Sequence, residues 1–255
     1  MVAYSAPHVP LHAHSEFKGQ SKQGLYGDVV EELDFRIGEL LKTLGARSET
    51  KNTLVIFLSD NGPWVSYGID AGTAAPFRGG KATLWEGGWR VPGLFVWPEH
   101  WPARQIDAIV SLVDVLPTLA EVIDQPMPST YQNDGKSFNH LLRGHDDLGE
   151  RTFFYFADFS GKGARSAVGS QLVAIRHESW KLVLKTSKSN RLGWLLGWKA
   201  SPVALYDLGE DHGELSDVQQ QNPEVVTELL SLADEKLNQI CKNLAPWANN
   251  SCEKH

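Results

Sequence analysis

Apolar residues follow a helical and then a strand-like spacing through the first half of the chain. Over residues 27–44 they recur three and four positions apart, which predicts an amphipathic helix. Residues 53–58 (TLVIFL) and 93–97 (GLFVW) are short apolar runs that predict strands, the first buried on both faces as in a parallel sheet. Helical spacing returns over residues 112–123, where Pro117 indicates a kink or a late helix start. This alternation predicts an α/β region.

The pattern changes after about residue 150, where short apolar runs are separated by turn residues. The predicted strands are residues 152–156, 172–176, 181–185 and 204–208. Residues 177–179 fit a hairpin connection, and residues 223–240 have the spacing of a final helix. We therefore expect a boundary near the polar residues 144–147, with an α/β region over 1–147 and a small α+β domain with an antiparallel sheet over 148–255.

Composition and charge exclude several functional classes. With 255 residues and 42% hydrophobic content the chain can bury a sizeable core, and its net charge of −7 is spread without a basic stripe. We therefore expect no nucleic-acid partner. No run of about 18 apolar residues is present, so no transmembrane segment is predicted, and the first residues lack the pattern of a signal peptide. The two cysteines, Cys241 and Cys252, either close a short tail loop or remain free thiols.

Asp60 and Asn61 directly follow the predicted strand at residues 53–58. Ligands of α/β folds bind at the carboxyl ends of strands, and a carboxylate beside an amide offers the hard oxygen atoms that Ca²⁺ or Mg²⁺ prefers. The pair therefore predicts part of a metal site. The alternative is that Asp-Asn-Gly makes a tight turn with no ligand.

A glycine-rich segment at residues 77–92 (FRGGKATLWEGGWRVP) contains the second candidate site residue, Lys81. Glycines allow a backbone to approach a ligand closely, and a lysine can present its charge to a tetrahedral oxyanion. Glu86 and Arg90 could pair to brace this loop. The spacing matches neither a phosphate-binding P-loop nor a dinucleotide fingerprint.

The third candidate is His8, in the sequence Ala-Pro-His-Val-Pro near the start of the chain. Prolines on both sides favour an extended backbone and restrict how the imidazole points. An imidazole titrates near neutrality, so His8 could bind an anion or protonate a leaving group. His12 and His14 lie close by, and the alternative is a solvated loop or a fortuitous metal patch.

In this order and at these separations, the motifs resemble the sulfatase family. The matching stretches are residues 6–10, 25–41, 52–63, 77–98, 111–120, 172–184 and 205–214. The resemblance implies an alkaline-phosphatase-like sulfatase fold, with a partial central mixed sheet flanked by helices. Within the family the chain is similar to arylsulfatase A and to N-acetylgalactosamine-6-sulfatase; in the latter, cysteines matching Cys241 and Cys252 are disulfide-bonded.

The resemblance also implies roles for the candidate residues. Asp60 and Asn61 match the family's Ca²⁺ ligands, Lys81 its sulfate-contacting lysine and His8 its active-site histidine. In such enzymes a formylglycine hydrate made from cysteine attacks sulfur, while the cation and basic side chains hold the sulfate group. The implied substrate is a sulfate ester, and we expect it to be a sulfated carbohydrate. The implied location is extracytoplasmic: lysosomal, periplasmic or secreted.

Two family motifs are missing from the chain. No Cys-x-Pro-x-Arg or Ser-x-Pro-x-Arg sequence occurs, so no nucleophile can be named. The early Asp-Asp metal motif is also missing, because Asp146 and Asp147 follow no buried strand. We therefore expect the C-terminal half of a sulfatase, catalytic only with an N-terminal half as its partner. The alternatives are a non-catalytic protein that binds sulfate or sulfated glycans and, less favoured because a second metal set is missing, a phosphoester hydrolase of the same superfold.

Overall fold

The computed structural model describes residues 1–125, 127–131, 133–146, 148–157, 171–188 and 198–243. Asp147 and Cys252 lie outside these residues, and so does the predicted pairing of Cys252 with Cys241. The chain divides into two compact units, Met1–Thr73 with Arg90–Gly149 and Ala74–Trp89 with Glu150–His255. Residues 74–89, which contain most of the glycine-rich segment and are called the glycine-rich loop below, thus belong to the second unit, although the sequence predicts them within the first region.

The first unit begins with irregular chain and one long helix. Helix α1 spans Gly24–Ala46, which confirms and extends the predicted helix. Its buried residues, Gly27, Asp28 and Val29, are confined to the first turns. Farther along, Phe35, Leu40 and Leu41 are each 45% exposed, so this part of the apolar face lies in solvent within the unit.

The two predicted strands of the first unit are present and pair with each other. Strand β1 (Val55–Leu58) pairs with β2 (Gly93–Val96), and the order is antiparallel, with Val55 opposite Val96. The expectation of a parallel arrangement is therefore wrong for this pair. The apolar run of one strand does not indicate the direction of its neighbour, which depends on the connection between them. The expected burial of β1 on both faces is also wrong, because its four residues are only partly buried.

Shorter elements complete the first unit. The 3₁₀ turns are Thr50–Asn52, Val65–Asp70 and Leu112–Asp114, and the third leads directly into α3 (Val115–Val122). Pro117 lies in the first turn of α3, where a missing N–H costs no helical hydrogen bond, so the late helix start is confirmed. A buried apolar cluster of this unit consists of Phe138, Leu141 and Leu142, in and beside α4 (Asn139–Leu142).

The second unit contains α2 (Glu86–Trp89), a four-stranded antiparallel sheet and a helix. The strands occur in sequential order: β3 (Thr152–Ala157), β4 (Gln171–His177), β5 (Trp180–Lys188) and β6 (Trp198–Asp207). All four predicted strands are confirmed, and Glu178 with Ser179 forms the predicted hairpin turn between β4 and β5.

Helix α5 spans Pro223–Asn243, as predicted, and supplies the other half of the second unit's core. Its buried residues Val226, Leu229 and Ala233 pack with apolar side chains of β4, β5 and β6. Alternation along the strands and helical spacing along α5 put apolar faces opposite each other, which explains the accuracy of the prediction here. Within the described residues, no helix is both long and apolar enough to cross a membrane.

Candidate functional site

The carboxyl end of β1 carries the first pair of candidate residues. Asp60 is exposed and Asn61 is half-buried. The Asn61 side-chain nitrogen donates to Gly62 O at 2.9 Å, and the Ser59 hydroxyl donates to Asn61 O at 3.2 Å. Because the amide nitrogen is fixed by Gly62, the amide oxygen is the atom of Asn61 that suits a cation. The turn and the ligand interpretations of this segment are thus compatible.

His8 lies in a turn, not in the extended conformation expected from its flanking prolines. Its backbone N–H donates to Ser5 O at 2.9 Å. The ring Nδ1 lies 2.7 Å from Val9 O, and since a carbonyl only accepts, this contact puts a proton on Nδ1. In the neutral ring Nε2 then carries the lone pair.

An aromatic contact links the His8 turn to the segment after β1. The ring centroids of His8 and Trp64 are 5.9 Å apart, and Trp64 follows Asn61 by three residues. The Trp64 ring is in turn 4.7 Å from that of Tyr67 in an edge-to-face arrangement. The first unit therefore brings His8 beside the segment that carries Asp60 and Asn61, as the sequence-based hypothesis requires.

Two carboxylates of α1 anchor the chain that follows His8, a feature that the sequence did not reveal. Asp28 accepts backbone N–H groups of Gly19 (2.7 Å), Gln20 (3.0 Å) and Ser21 (2.8 Å). These hydrogen bonds, led by that from Gly19, hold the pKa of Asp28 below its ordinary value. Glu32 accepts the backbone N–H of His14 at 2.7 Å, which likewise lowers its pKa.

Lys81 lies in the second unit, at a turn in the glycine-rich loop. The turn is closed by Thr83 N–H donating to Gly80 O at 3.1 Å, and Lys81 is partly exposed. The ends of the loop meet where Gly87 N–H donates to Arg78 O at 2.8 Å. A Cβ on Gly87 would lie 2.5 Å from Arg78 O, so this glycine lets the loop pack on its own backbone.

Four buried charges hold this loop against the sheet, and we refer to Glu86, Arg176, Lys181 and Glu214 as the ion cluster. Glu86 pairs with Arg176, and its other oxygen lies 3.1 Å from Lys181 Nζ. The sequence suggested Arg90 as the partner of Glu86. Arg176 and Lys181, which pair with each other on β4 and β5, were missed. The signal that could have identified them is a charged residue directly beside an apolar run within a predicted strand.

The donor chemistry of the first unit fits part of a hard-cation site. Asp60 and Asn61 provide oxygen atoms of the kind that Ca²⁺ and Mg²⁺ bind, but Ca²⁺ takes about six to eight ligands. In the part of the chain that the structure describes, no group of three or more His, Cys, Asp or Glu side chains is placed to hold a metal. The two residues thus fit such a cation as contributors to a larger ligand set.

Asp146 begins the Asp-Asp pair that resembles the missing metal motif, and its partner is Arg104. Its carboxylate accepts from Arg104 Nη2, and this hydrogen bond lowers the pKa of Asp146. The side chain is highly exposed, and the described strand that precedes it, β2, ends at Val96. The contact gives Asp146 the role of a surface ion-pair partner.

The first unit thus places an oxygen-ligand pair beside an imidazole, and the second unit carries a lysine on a glycine-rich loop. Residues 1–125 match the model of the sulfatase family, and residues 80–243 match that of the C-terminal region of N-sulphoglucosamine sulphohydrolase. The chain therefore belongs to the sulfatase family.

Several curated relatives match most of the chain. It is 32% identical over 239 residues to an N-acetylgalactosamine-6-O-sulfatase of Bacteroides thetaiotaomicron, covering 89% of this chain and 44% of the relative. It is 29% identical to arylsulfatase G of Rattus norvegicus, and the match covers 93% of this chain and 46% of the relative. It is 37% identical to human steryl-sulfatase, and the match covers 61% of this chain and 28% of the relative. The chain thus spans less than half the length of each of these relatives.

Solved structures share the fold. One is a Bacteroides thetaiotaomicron protein (BT33336S-sulf) from work on the metabolism of multiple glycosaminoglycans. It has a TM-score of 0.71 and 29% identity to this chain, and the match covers 90% of this chain and 48% of that protein. Ps i-CgsB in complex with k-i-k-neocarrahexaose has a TM-score of 0.72 at 27% identity, with 91% and 48% covered. These similarities confirm the predicted sulfatase fold of the alkaline-phosphatase-like type.

Proposed function

We propose that these 255 residues contribute the late half of the active site of a sulfuric ester hydrolase that releases inorganic sulfate from a sulfated carbohydrate. The observation that carries this proposal is the Asp60-Asn61 pair at the end of β1 with the His8 turn beside it, linked through Trp64. The names of the relatives support the substrate class. They include an N-acetylgalactosamine-6-O-sulfatase and a structural neighbour in complex with k-i-k-neocarrahexaose.

Each candidate residue has a distinct proposed role. Asp60 and Asn61 would hold Ca²⁺, with Mg²⁺ as the alternative, and such an ion would neutralise charge on the sulfate oxygens. Lys81 would donate to a sulfate oxygen as a point charge. With its Nδ1 proton held by Val9 O, His8 can take up a second proton at Nε2 and deliver it to the oxygen of the departing alcohol.

The nucleophile must come from outside these residues, because neither the cysteine nor the serine form of the formylglycine motif occurs among them. Its source would be the N-terminal half of the sulfatase domain, the proposed partner. The chain by itself would then bind the sulfated sugar without cleaving it.

Complementation tests this proposal. The chain is assayed for release of sulfate from an aryl sulfate and from N-acetylgalactosamine 6-sulfate, alone and joined to the N-terminal half of the Bacteroides relative. We expect turnover with Ca²⁺ only in the joined protein, and its loss on Asp60→Asn. Asp34→Asn, the same change at an exposed position of α1, is the matched control.

Three outcomes would contradict the proposal. Turnover by the chain alone would mean that the nucleophile lies within it. Turnover in the joined protein that survives Asp60→Asn would remove the metal role. A joined, folded protein that binds the sugar but never cleaves it would favour the alternative, a non-catalytic glycan-binding protein.

We also propose an extracytoplasmic location, in line with the lysosomal, periplasmic and secreted members that the resemblance implies. An oxidising compartment would bridge Cys241 and Cys252. Mass analysis of protein from its native source, alkylated before and after reduction, should label neither cysteine until reduction. Two thiols labelled without reduction would contradict this location.

A further inference from the structure

The ion cluster reaches the glycine-rich loop at several separate points. Lys181 Nζ lies 2.8 Å from Leu84 O, 3.1 Å from Glu86 Oε1 and 2.8 Å from Glu214 Oε1. Its ammonium donates to Leu84 O and to Glu86 Oε1, and it forms an ion pair with the Glu214 carboxylate. The Tyr155 hydroxyl donates to Glu86 at 2.8 Å, so β3 and β5 both hold the same carboxylate. Two of the three Lys181 contacts are to loop residues.

Glu214 holds both ends of the loop. Its side chain accepts the backbone N–H of Glu86 at 2.8 Å, and its backbone carbonyl accepts from Arg78 Nη1 at 2.9 Å. The Arg78 guanidinium also lies 3.6 Å from the centroid of the Trp85 ring. Glu214 itself has a φ of 52°, which is unfavourable for a residue with a side chain. The turn that carries it thus adopts a strained conformation in which it bridges the loop ends.

The composition of the cluster indicates a role in positioning. Two acids and two bases, all less than 5% exposed, sit where apolar side chains of similar size would often give equal or greater stability. Directional contacts, in contrast, fix where a backbone lies. In the sequence, Lys81 lies between Arg78 and Leu84, which are both bonded to the ion cluster. The cluster therefore fixes the backbone on both sides of Lys81.

We propose that Lys181 is a positioning residue for Lys81: its buried ammonium fixes Leu84 and Glu86 to the sheet and so holds Lys81 where it can bind a sulfate group. This inference rests on the proposed sulfate role of Lys81. Lys181 itself is fully buried and acts only through the loop.

The test compares Lys181→Met with Lys185→Met, which removes an exposed lysine of the same strand. Hydrogen exchange of the amides at 79–88 reports on the loop, and exchange in α5 reports on the rest of the unit. Binding of N-acetylgalactosamine 6-sulfate is measured in both variants, with and without Lys81→Ala. We expect Lys181→Met to accelerate loop exchange more than α5 exchange and to weaken binding about 10- to 100-fold, the loss of one charge-assisted hydrogen bond.

The decisive readout is non-additivity. Lys81→Ala should weaken binding in the parent and in Lys185→Met, but have little further effect in Lys181→Met. An unchanged effect of Lys81→Ala in Lys181→Met, or loop exchange equal to that of the parent, would overturn the inference. If Lys81→Ala leaves binding unchanged in the parent, the proposed function of Lys81 fails, and loop exchange alone still decides whether Lys181 positions it.

A milder variant covers the case in which Lys181→Met does not fold. Tyr155→Phe removes only the hydroxyl that donates to Glu86 and keeps the ring that packs on Trp89. We expect faster exchange at 84–87 and weaker sugar binding, both smaller than for Lys181→Met. Parent-like values for both quantities in folded Tyr155→Phe would overturn the inference.

Discussion

Replacing Gly87 by alanine tests whether the glycine-rich loop depends on close packing of its own backbone. The new Cβ would lie 2.5 Å from Arg78 O and 2.6 Å from Gly79 O, whereas ordinary contact begins at 3.4 Å. The loop must therefore open by about 0.9 Å at this point. Such overpacking costs about 1–3 kcal/mol, and weakening the bond from Gly87 N–H to Arg78 O adds about 1 kcal/mol.

We thus expect Gly87→Ala to lower the unfolding free energy of the second unit by about 2–4 kcal/mol. Hydrogen exchange of the most protected amides in β4 and β5 measures that quantity for this unit alone. Gly38→Ala is the control, because its Cβ meets nothing within 4 Å and alanine in a helix should stabilise α1 by about 0.5–1 kcal/mol. A loss below about 0.5 kcal/mol in folded Gly87→Ala would refute the packing argument.

Two further changes test other parts of the fold. The pKa of Asp28 lies below the ordinary carboxyl value of 3.8, so its hydrogen bonds stabilise the first unit fully above pH 3.8. This stabilisation is lost as pH falls through the lowered pKa. In Asp28→Asn the unfolding free energy of the first unit should therefore depend less on pH in that range. An acid-unfolding curve with the same pH dependence in Asp28→Asn would contradict this. Leu229→Ala should lower the unfolding free energy of the second unit by about 2–5 kcal/mol, because Leu229 is buried in its core. Leu215→Ala, at an exposed position, should lower it by less than about 0.5 kcal/mol. Hydrogen exchange in β4 and β5 measures both changes. Equal costs would contradict the assignment of the core.

The second unit was the easier half to predict from sequence. Its strands pair with their neighbours in chain order, as the His177–Trp180 pair at the β4–β5 hairpin illustrates. Helix α5 needs only the apolar face that contains Leu229 to dock on that sheet. Local pattern and tertiary structure agree here, which is the condition under which sequence reading succeeds.

Predictions that depended on distant residues were less successful. The apolar run of β1 predicted burial on both faces and parallel neighbours, but its partner is the antiparallel β2. Lys181 and Glu214 lie about 100 or more positions from the loop they hold, and no spacing rule connects them to Glu86. The candidate pair Asp60 and Asn61 could be located because it directly follows the apolar run of β1 in the sequence.

The central claim, that the chain carries the late metal and sulfate contacts of a sulfatase, is tested most directly by calorimetric titration with N-acetylgalactosamine 6-sulfate in the presence and absence of Ca²⁺. We expect Ca²⁺ to strengthen binding of the sugar, and we expect this Ca²⁺ effect to be lost in Asp60→Asn and retained in Asp34→Asn. Binding that is equally tight with and without Ca²⁺, or a Ca²⁺ effect that survives Asp60→Asn, would contradict the central claim.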